Sequence, residues 1–281
     1  MNQDKMKTVL SQNVLRLIFL ITTILVVVPI AWAFISSFKT SAEYLSDPWG
    51  LPSSLHWENY VNAFNRANMG AYFLNTIFTT FCALALLFCL AVPAAYALSR
   101  FRFRFSATIN LAIMGGLFIN STFIVVPLFL LLKDMQLLDN RLALSIVYAA
   151  TTLPFNIYLL SGFMKGLPRD YEEAACIDGC GYCGTLFRIV APMSKPGLVT
   201  VAMFGFMSYW NEYMLSLTLM TTPEKRTLSV GLKNLMEIQK FATDWGAMFA
   251  GLVIVMLPTM LFYALVQDKL IAGISLGGLK G

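Results

Sequence analysis

Long apolar runs separated by short polar segments are the dominant pattern of this chain. A helix needs about 20 residues, at about 1.5 Å rise per residue, to cross the hydrocarbon core of a bilayer. Six runs reach that length, and Glu212 is the one charge inside the fifth. The pattern predicts an all-α polytopic membrane protein with a single transmembrane domain over residues 1–281. The predicted spans are approximately 14–38, 71–99, 105–132, 142–164, 197–220 and 245–267.

Composition supports the membrane interpretation. Of 281 residues, 58% are hydrophobic and only 12% are charged, and the mean hydropathy is +0.69. A soluble domain of this length does not need so much apolar surface. The first run resembles a secretion signal, but its uncharged stretch, residues 17–38, is longer than the roughly 7–15 residues of a signal core. We therefore expect it to be retained as the first helix.

The distribution of basic residues predicts the orientation. Arg100, Arg102 and Arg104 crowd the short turn between the second and third runs, and most of the Lys and Arg residues fall on the side of the N-terminus. Basic residues favour the cytoplasmic side of a membrane. Both termini are therefore expected in the cytoplasm. The net charge of +5 reflects these flanking residues rather than a nucleic-acid site.

One polar segment, residues 165–195, is too long and too helix-prone for a simple connection between spans. Ala174, Ala175 and the acids beside them favour a helix. Gly179 permits the positive φ of a sharp turn, and residues 189–192 lead back to the membrane. The sequence predicts a helix–turn–helix that projects from the bilayer on the cytoplasmic side.

Three cysteines in this segment, Cys176, Cys180 and Cys183, have a spacing that suggests half a zinc site. The site lacks a fourth ligand, because no second Cys pair exists and the one histidine, His56, is predicted across the membrane. We interpret these thiols as small side chains in a tight loop. No metal is predicted.

Nucleotide motifs are equally weak. Residues 179–184 fit Gly-x-Gly-x-x-Gly, but that pattern indicates a dinucleotide site only between a strand and a helix. The chain also lacks Gly-x-x-x-x-Gly-Lys-Ser/Thr, the loop that holds ATP phosphates. The sequence therefore predicts no cofactor and no catalytic residue on this chain. If ATP drives the protein, another chain must hydrolyse it.

Polar residues inside the apolar runs are candidates for a translocation path. A carboxylate at mid-bilayer costs roughly 2.5–3.5 kcal/mol, so Glu212 should face protein or water. The alternative is a structural hydrogen-bonding residue that extends to the outer surface of the membrane. Amide, carboxylate and aromatic groups together suit a sugar, although this chemistry is permissive. The candidate path residues are Asn120, Asn156, Trp210, Asn211, Glu212 and Tyr213.

The motif Glu173-Ala174-Ala175-x-x-x-Gly179, followed by Ile189-x-x-Pro192, resembles the coupling loop of the membrane subunits of binding-protein-dependent ABC importers. Further segments look like the carbohydrate-uptake branch, and in particular like the shorter, six-helix subunit of maltose-type importers. These segments are 37–39, 59–60, 95–100, 127–129, 210–213 and 278–281.

The resemblance implies a type I ABC importer permease in the bacterial cytoplasmic (inner) membrane. It implies a second related permease, two ATPase subunits that bind ATP and Mg, an extracellular solute-binding protein, surrounding membrane lipid and a sugar substrate. The residues it implies for ATPase coupling are Glu173, Ala174, Ala175, Ile177, Asp178, Gly179, Leu186, Lys280 and Gly281. Cys180 and Ala191 depart from the family pattern, which leaves the apolar docking contacts open.

Two alternatives remain at this point. An ion-coupled secondary carrier would use Glu212 and need no ATPase, and it predicts repeats or broken helices around a midplane site. An importer permease of the same family for a solute other than sugar would share every motif above. The outer loop, residues 39–70, fits either contact with the binding protein or anchoring by its aromatic residues at the membrane surface.

Overall fold

The computed structural model of the chain describes residues 3–66, 68–238 and 244–278. Within these ranges every regular element is helical, as the apolar pattern predicts. The backbone divides into two compact units, one with residues 1–67 and 232–256 and the other with residues 68–231 and 257–281. The assignment of one domain to the whole chain stays a prediction.

The first unit is built on the long helix α1 (Gln3–Ser36), which is followed by the short helices α2 (Ser41–Ser46) and α3 (Glu58–Arg66). The end of α13 (Leu228–Ile238) and the start of α14 (Trp245–Gly278) complete it. Most apolar side chains of α1 between residues 14 and 28 are exposed. Among the described residues, none buries this stretch of α1.

Aromatic rings fill the core of the first unit. Trp32 contacts Tyr44 and Phe249 at ring-centroid distances of 6.0 and 5.2 Å. Tyr44 also stacks on Trp245 at 5.0 Å. Ring pairs at these separations add to the stability that burial of their apolar area provides. The predicted outer loop is therefore a packed structure.

The second unit is built on α4 (Met69–Arg100) and α7 (Arg141–Lys165), which pack together along their length. The contact includes the fully buried side chains of Leu87, Leu144 and Leu160. The other helices of this unit surround that pair. They are α5 (Ser106–Gly116), α6 (Ser121–Asp134), α8 (Asp170–Ile177), α9 (Tyr182–Thr185), a π-helical turn (Leu186–Val190), α10 (Ala191–Met193), α11 (Lys195–Trp210), α12 (Met214–Leu219) and a 3-10 turn (Pro223–Lys225).

Four helical segments are long and apolar enough to cross a membrane: Gln12–Ser36 of α1, all of α4, all of α7, and Trp245–Gln267 of α14. They correspond to the predicted first, second, fourth and sixth spans. Two bent helix pairs raise the number of candidate spans in the described residues to as many as six.

The third predicted span, 105–132, is two helices rather than one. α5 and α6 meet at an angle of 104°. α6 starts afresh because the side chain of Asn120 accepts a 2.9 Å hydrogen bond from the backbone N–H of Thr122, as an N-cap does.

The fifth predicted span, 197–220, is also interrupted. α11 ends at Trp210, residues 211–213 are not helical, and α12 begins at Met214. At its other end α11 is bent by 79° from the segment Tyr182–Met193. The predicted third and fifth spans are thus interrupted by bends, and the described residues contain up to six spans when each bent pair is counted as one.

Candidate functional site

The polar knob, defined as residues 165–195, folds as the predicted helix–turn–helix. Gly179 has a φ of 80°, in the left-handed region that glycine occupies without strain. The N–H of Cys180 donates to the carbonyl of Ala175 at 2.9 Å, and the N–H of Gly179 donates to the carbonyl of Cys176 at 3.1 Å. This pair of bonds is the Schellman ending of a helix. The bend between α8 and α9 is therefore a hydrogen-bonded, fixed element.

The predicted coupling residues divide into two groups. Glu173, Ala174, Ile177, Asp178 and Gly179 are exposed, and Ile177 exposes 87% of its surface.

The other group faces inward. Ala175 and Leu186 are only 3% and 4% exposed, and Leu186 is part of the hydrophobic core. Their side chains hold the polar knob to the bundle and do not form its outer surface. Lys280 and Gly281 lie outside the described residues.

A largely buried ion pair joins the polar knob to the end of α4. The Nε atom of Arg100 lies 2.6 Å from Oε1 of Glu172, and the two side chains are 6% and 16% exposed. Nη2 of Arg100 also donates to the carbonyl of Leu167 at 3.0 Å, in the turn before α8. In the sequence, Arg100 gave a signal of orientation and belonged to the family-like segment 95–100, but its contact with Glu172 was not predicted.

A groove of about 350 Å³ lies beside this ion pair. Glu173, Ile177 and Tyr182 from the exposed side of the polar knob share its wall with Arg169. An apolar side chain, a phenol and both signs of charge are therefore available to a partner at one place.

A second polar cluster surrounds the interruption of the fifth span. The carboxylate of Glu212 accepts hydrogen bonds from the backbone N–H groups of Leu215 and Ser216 at 2.7 and 3.0 Å. It also accepts one from the hydroxyl of Tyr148 at 2.8 Å. The carboxylate caps the first turn of α12 and ties it to α7. This is the structural reason for the break in the helix.

The pocket beside Glu212 has a volume of about 260 Å³. The rings of Tyr148 and Tyr209 are stacked at 5.6 Å on one side of it, and the hydroxyls of Tyr209 and Thr152 are 2.5 Å apart. Asn120 also lines the pocket. Hydroxyls, an amide, a carboxylate and aromatic faces thus meet inside the membrane-spanning part of the chain.

The structure brings only two of the predicted path residues, Asn120 and Glu212, to this pocket. Asn156 is buried and donates to the carbonyl of Thr152, while Trp210 packs between Phe73 and Phe206.

Neither Asn211 nor Tyr213 lines the pocket. The side chain of Asn211 donates to the carbonyl of Met207, and Tyr213 is half-buried. Tyr148 and Tyr209, which do line the pocket, were not among the predicted path residues. A useful signal was available, because a tyrosine inside an apolar span needs a partner for its hydroxyl.

Among the described residues, no group of three or more His, Cys, Asp or Glu side chains is arranged to hold a metal ion. Cys176 and Cys183 are exposed and Cys180 is half-buried, each as a free thiol.

Comparison with known proteins decides the family. Residues 8–274 match the family described as binding-protein-dependent transport system inner membrane component. The chain belongs to this family. It is therefore a membrane permease subunit of an importer, as the motif around Glu173 predicted.

Two curated relatives align with most of the permease. It is 36% identical over 260 residues to the diacetylchitobiose uptake system permease protein NgcG of Streptomyces coelicolor, covering 92% of this chain and 86% of that protein. It is 33% identical over 255 residues to the sulfoquinovosyl glycerol transport system permease protein SmoH of Agrobacterium fabrum, covering 90% and 88%.

A solved structure has the same fold. The crystal structure of a bacterial ABC transporter involved in the import of the acidic polysaccharide alginate contains a chain that matches the permease with a TM-score of 0.77 and 26% identity. The match covers 95% of this chain and 98% of that one. The predicted fold class, a type I ABC importer permease, is confirmed.

Proposed function

We propose that this permease forms one half of the translocation path of an ATP-driven importer of sugars or oligosaccharides. A second related permease forms the other half, and an extracellular solute-binding protein delivers the sugar. Two separate ATPase subunits bind ATP and Mg and drive the cycle. The observation that carries the proposal is the polar knob, a rigid helix–turn–helix with an exposed outer face on an otherwise apolar bundle.

The geometry of the polar knob supports a docking role. Its bend is fixed by the Schellman bonds around Gly179, and buried Ala175 and Leu186 anchor it. A partner that moves Glu173 and Ile177 therefore moves a packed body, not a loop. Coupling between sites needs such an element with discrete arrangements. An exposed ion pair at Glu173 would contribute only about 0–1 kcal/mol, so apolar contact at Ile177 provides most of the docking energy.

The pocket beside Glu212 supports passage of a polar solute that carries hydroxyl groups. Sugar hydroxyls donate to carboxylate and amide oxygens, and the flat apolar face of a sugar ring packs on aromatic rings. Tyr148, Tyr209 and Asn120 supply these groups together with Glu212. The relatives named for diacetylchitobiose and sulfoquinovosyl glycerol support a carbohydrate substrate.

The orientation proposed here places both termini and the polar knob in the cytoplasm of the cell, where ATP is. A membrane-impermeant maleimide tests it. In a variant that retains Cys183 as its single cysteine, inside-out vesicles should be labelled and right-side-out vesicles should not. A matched variant with Trp57→Cys as the single cysteine should show the reverse pattern, because Trp57 is also exposed and lies in the outer loop. Labelling of Cys183 from outside would refute the proposal.

Transport itself separates the importer from an ion-coupled carrier. The complex that co-purifies with the permease is reconstituted into liposomes, and uptake of labelled neutral disaccharides is measured. Uptake should require ATP together with the ATPase subunits and the binding protein, and it should survive collapse of the ion gradients. Uptake by the isolated permease that stops when the gradient collapses would instead show a secondary carrier.

A further inference from the structure

Two adjacent acids at the start of α8 have different surroundings. Glu173 is exposed at the outer face of the polar knob, whereas Glu172 is largely buried against α4. Successive residues of an α-helix point about 100° apart, so both carboxylates cannot face the same way. One acid is available to a partner, and the other is committed to the permease itself.

Arg100 contacts the polar knob at two points, Glu172 and Leu167. Its Nε atom lies 2.6 Å from the carboxylate, and its Nη2 atom donates to the carbonyl of Leu167 at 3.0 Å. The planar guanidinium thus spans the turn between α7 and α8 and the first turn of α8 at once. Arg100 is the last residue of α4. The end of α4, the turn after α7 and the start of α8 therefore meet at one side chain.

Aromatic contacts also join the end of α4 to the polar knob, beside the ion pair. The hydroxyl of Tyr96 lies 3.4 Å from the second carboxylate oxygen of Glu172. Phe101 packs edge-on against Tyr96 and against Tyr182, with both ring-centroid distances 5.4 Å. The end of α4 is therefore joined to α8 by charge and to α9 by apolar contact.

Burial makes this ion pair difficult to open. Separating two largely buried opposite charges leaves each without compensation, a far higher cost than opening an exposed pair. A movement applied to α8 is therefore passed to α4 as well as to α7, which the chain connects directly. α4 and α7 are in turn packed together along their length.

We propose that Arg100 and Glu172 are positioning residues that lock the polar knob to α4, so that the knob and the α4–α7 pair move as one body when the ATPase subunits close. This inference rests on the proposed function. It adds a specific linkage, because the family resemblance implies a role for Glu173 and none for Glu172 or Arg100.

Spin-label distances in the intact complex test the linkage. One label replaces Leu90, which is exposed on α4, and the other replaces Tyr171, which is exposed on α8 two residues before Glu173. All native cysteines are removed. With Arg100 and Glu172 present, the distance between the labels should change by less than about 2 Å between the nucleotide-free state and the state trapped with ATP and vanadate, because the labels belong to one body.

Arg100→Gln should broaden this distance distribution and shift its mean on trapping. It should also reduce the sugar transported per ATP hydrolysed by about tenfold, with the ATPase subunits still bound. The matched control is Glu173→Gln, which should weaken ATPase binding and leave the distance distribution narrow. A shift in the unsubstituted complex as large as the shift in Arg100→Gln would overturn the inference.

A second variant separates the loss of the ion pair from misfolding caused by an unpaired buried charge. Arg100→Met with Glu172→Met removes both charges and keeps packing volume, a replacement that buried ion pairs often tolerate. It should fold and assemble, yet show a broadened distance distribution and low coupling. A narrow distribution with full coupling in this variant would also overturn the inference, since apolar packing alone would then suffice. If the unsubstituted permease binds no ATPase subunit, the proposed function is refuted as well. If the complex forms but the polar knob moves relative to α4, only the role of Arg100 and Glu172 is refuted.

Discussion

The hydroxyl of Tyr148 on α7 donates a 2.8 Å hydrogen bond to the carboxylate of Glu212, which lies in the break between α11 and α12. The same carboxylate accepts the N–H groups of Leu215 and Ser216. One acidic side chain therefore stabilises a helix start and fixes that helix to a neighbouring span. A charge that is costly in a bilayer is retained because three donors surround it.

We expect Glu212→Ala to lower the stability of the purified permease by about 2–4 kcal/mol, because three donors lose their acceptor. Glu212→Gln should cost less, since one amide oxygen still accepts. Tyr148→Phe should cost about 1 kcal/mol, since it removes a single bond. Thermal unfolding midpoints in detergent, compared at one heating rate, rank the three variants by their loss of stability. Equal midpoints for the alanine variant and the unsubstituted permease would contradict the capping role.

Gly179→Val tests the fixed bend of the polar knob. No atom lies within 4 Å of an added Cβ at this position, so the cost comes from the left-handed backbone at φ 80° and is roughly 1–2 kcal/mol. Hydrogen exchange of residues 170–190 should rise, and co-purification of the ATPase subunits should fall, while membrane insertion is unchanged.

Gly181→Ala is the matched control for the bend. Gly181 also has open space around its Cβ position, but its φ of −75° and ψ of 169° suit any residue. Exchange and co-purification should stay as in the unsubstituted permease. Equal changes in hydrogen exchange and co-purification for the two substitutions would show that the positive φ of Gly179 does not fix the bend.

Gly246→Ala tests the packing of the first unit. A Cβ there would lie 2.4 Å from both the side-chain nitrogen of Asn59 and the carbonyl oxygen of Lys39. That nitrogen already donates to the carbonyls of Ser37 and Lys39 at 2.8 and 2.9 Å. Neither neighbour can yield without losing a hydrogen bond, so we expect a loss of about 1–3 kcal/mol in thermal unfolding.

Gly115→Ala, on α5, provides the comparison for Gly246→Ala. Nothing lies within 4 Å of its Cβ position, and alanine favours a helix over glycine by about 1 kcal/mol. Its unfolding midpoint should be unchanged or slightly higher. A decrease in the unfolding midpoint as large as that of Gly246→Ala would contradict the steric explanation for Gly246.

The carboxylate of Glu43 titrates far below its usual range. A hydrogen bond from the hydroxyl of Ser53 and another from the backbone N–H of Thr40 lower the pKa of Glu43 from 4.5 to about 2. Because the folded value is the lower one, the stabilisation is complete above about pH 4.5 and is lost as the pH falls through about 2. Ordering of the turn between Thr40 and Ser53 should persist to unusually low pH.

Carbon-13 NMR of labelled glutamate carboxyls measures this pKa directly. Ser53→Ala should raise the pKa of Glu43 toward its usual value, because it removes the largest stabilising contact of the ionised form. Ser54→Ala is the control, since the Ser54 hydroxyl contacts His56 and not Glu43. A pKa near 4.5 in the unsubstituted permease would contradict the hydrogen bonds described.

Apolar length predicted the positions of the two central helices of the second unit. The predicted spans 71–99 and 142–164 differ from α4 and α7 by only a few terminal residues. The local signal sufficed here because helices buried on several faces need no amphipathic pattern. The turn at Gly179 was also predictable, since few other residues accept its φ.

The broken spans were not predictable from hydropathy. Proline marks kinks in helices, yet Pro127 and Pro154 lie inside continuous helices, whereas the breaks fall near Asn120 and Glu212. There, side-chain oxygens accept backbone N–H groups and start new helices. Hydropathy averages over a window and does not detect a single capping residue. The Arg100–Glu172 contact was missed because the two positions are distant in sequence.

The two contacts of Arg100 also constrain the length of the chain before Glu172. Arg100 contacts both the carbonyl of Leu167 and the carboxylate of Glu172, so inserting or deleting one residue between those two positions would move one of them away from its guanidinium. Side chains in that turn are freer to vary, because Arg100 contacts the backbone carbonyl of Leu167. The contacts of Arg100 therefore constrain the number of residues in this turn more than their side chains.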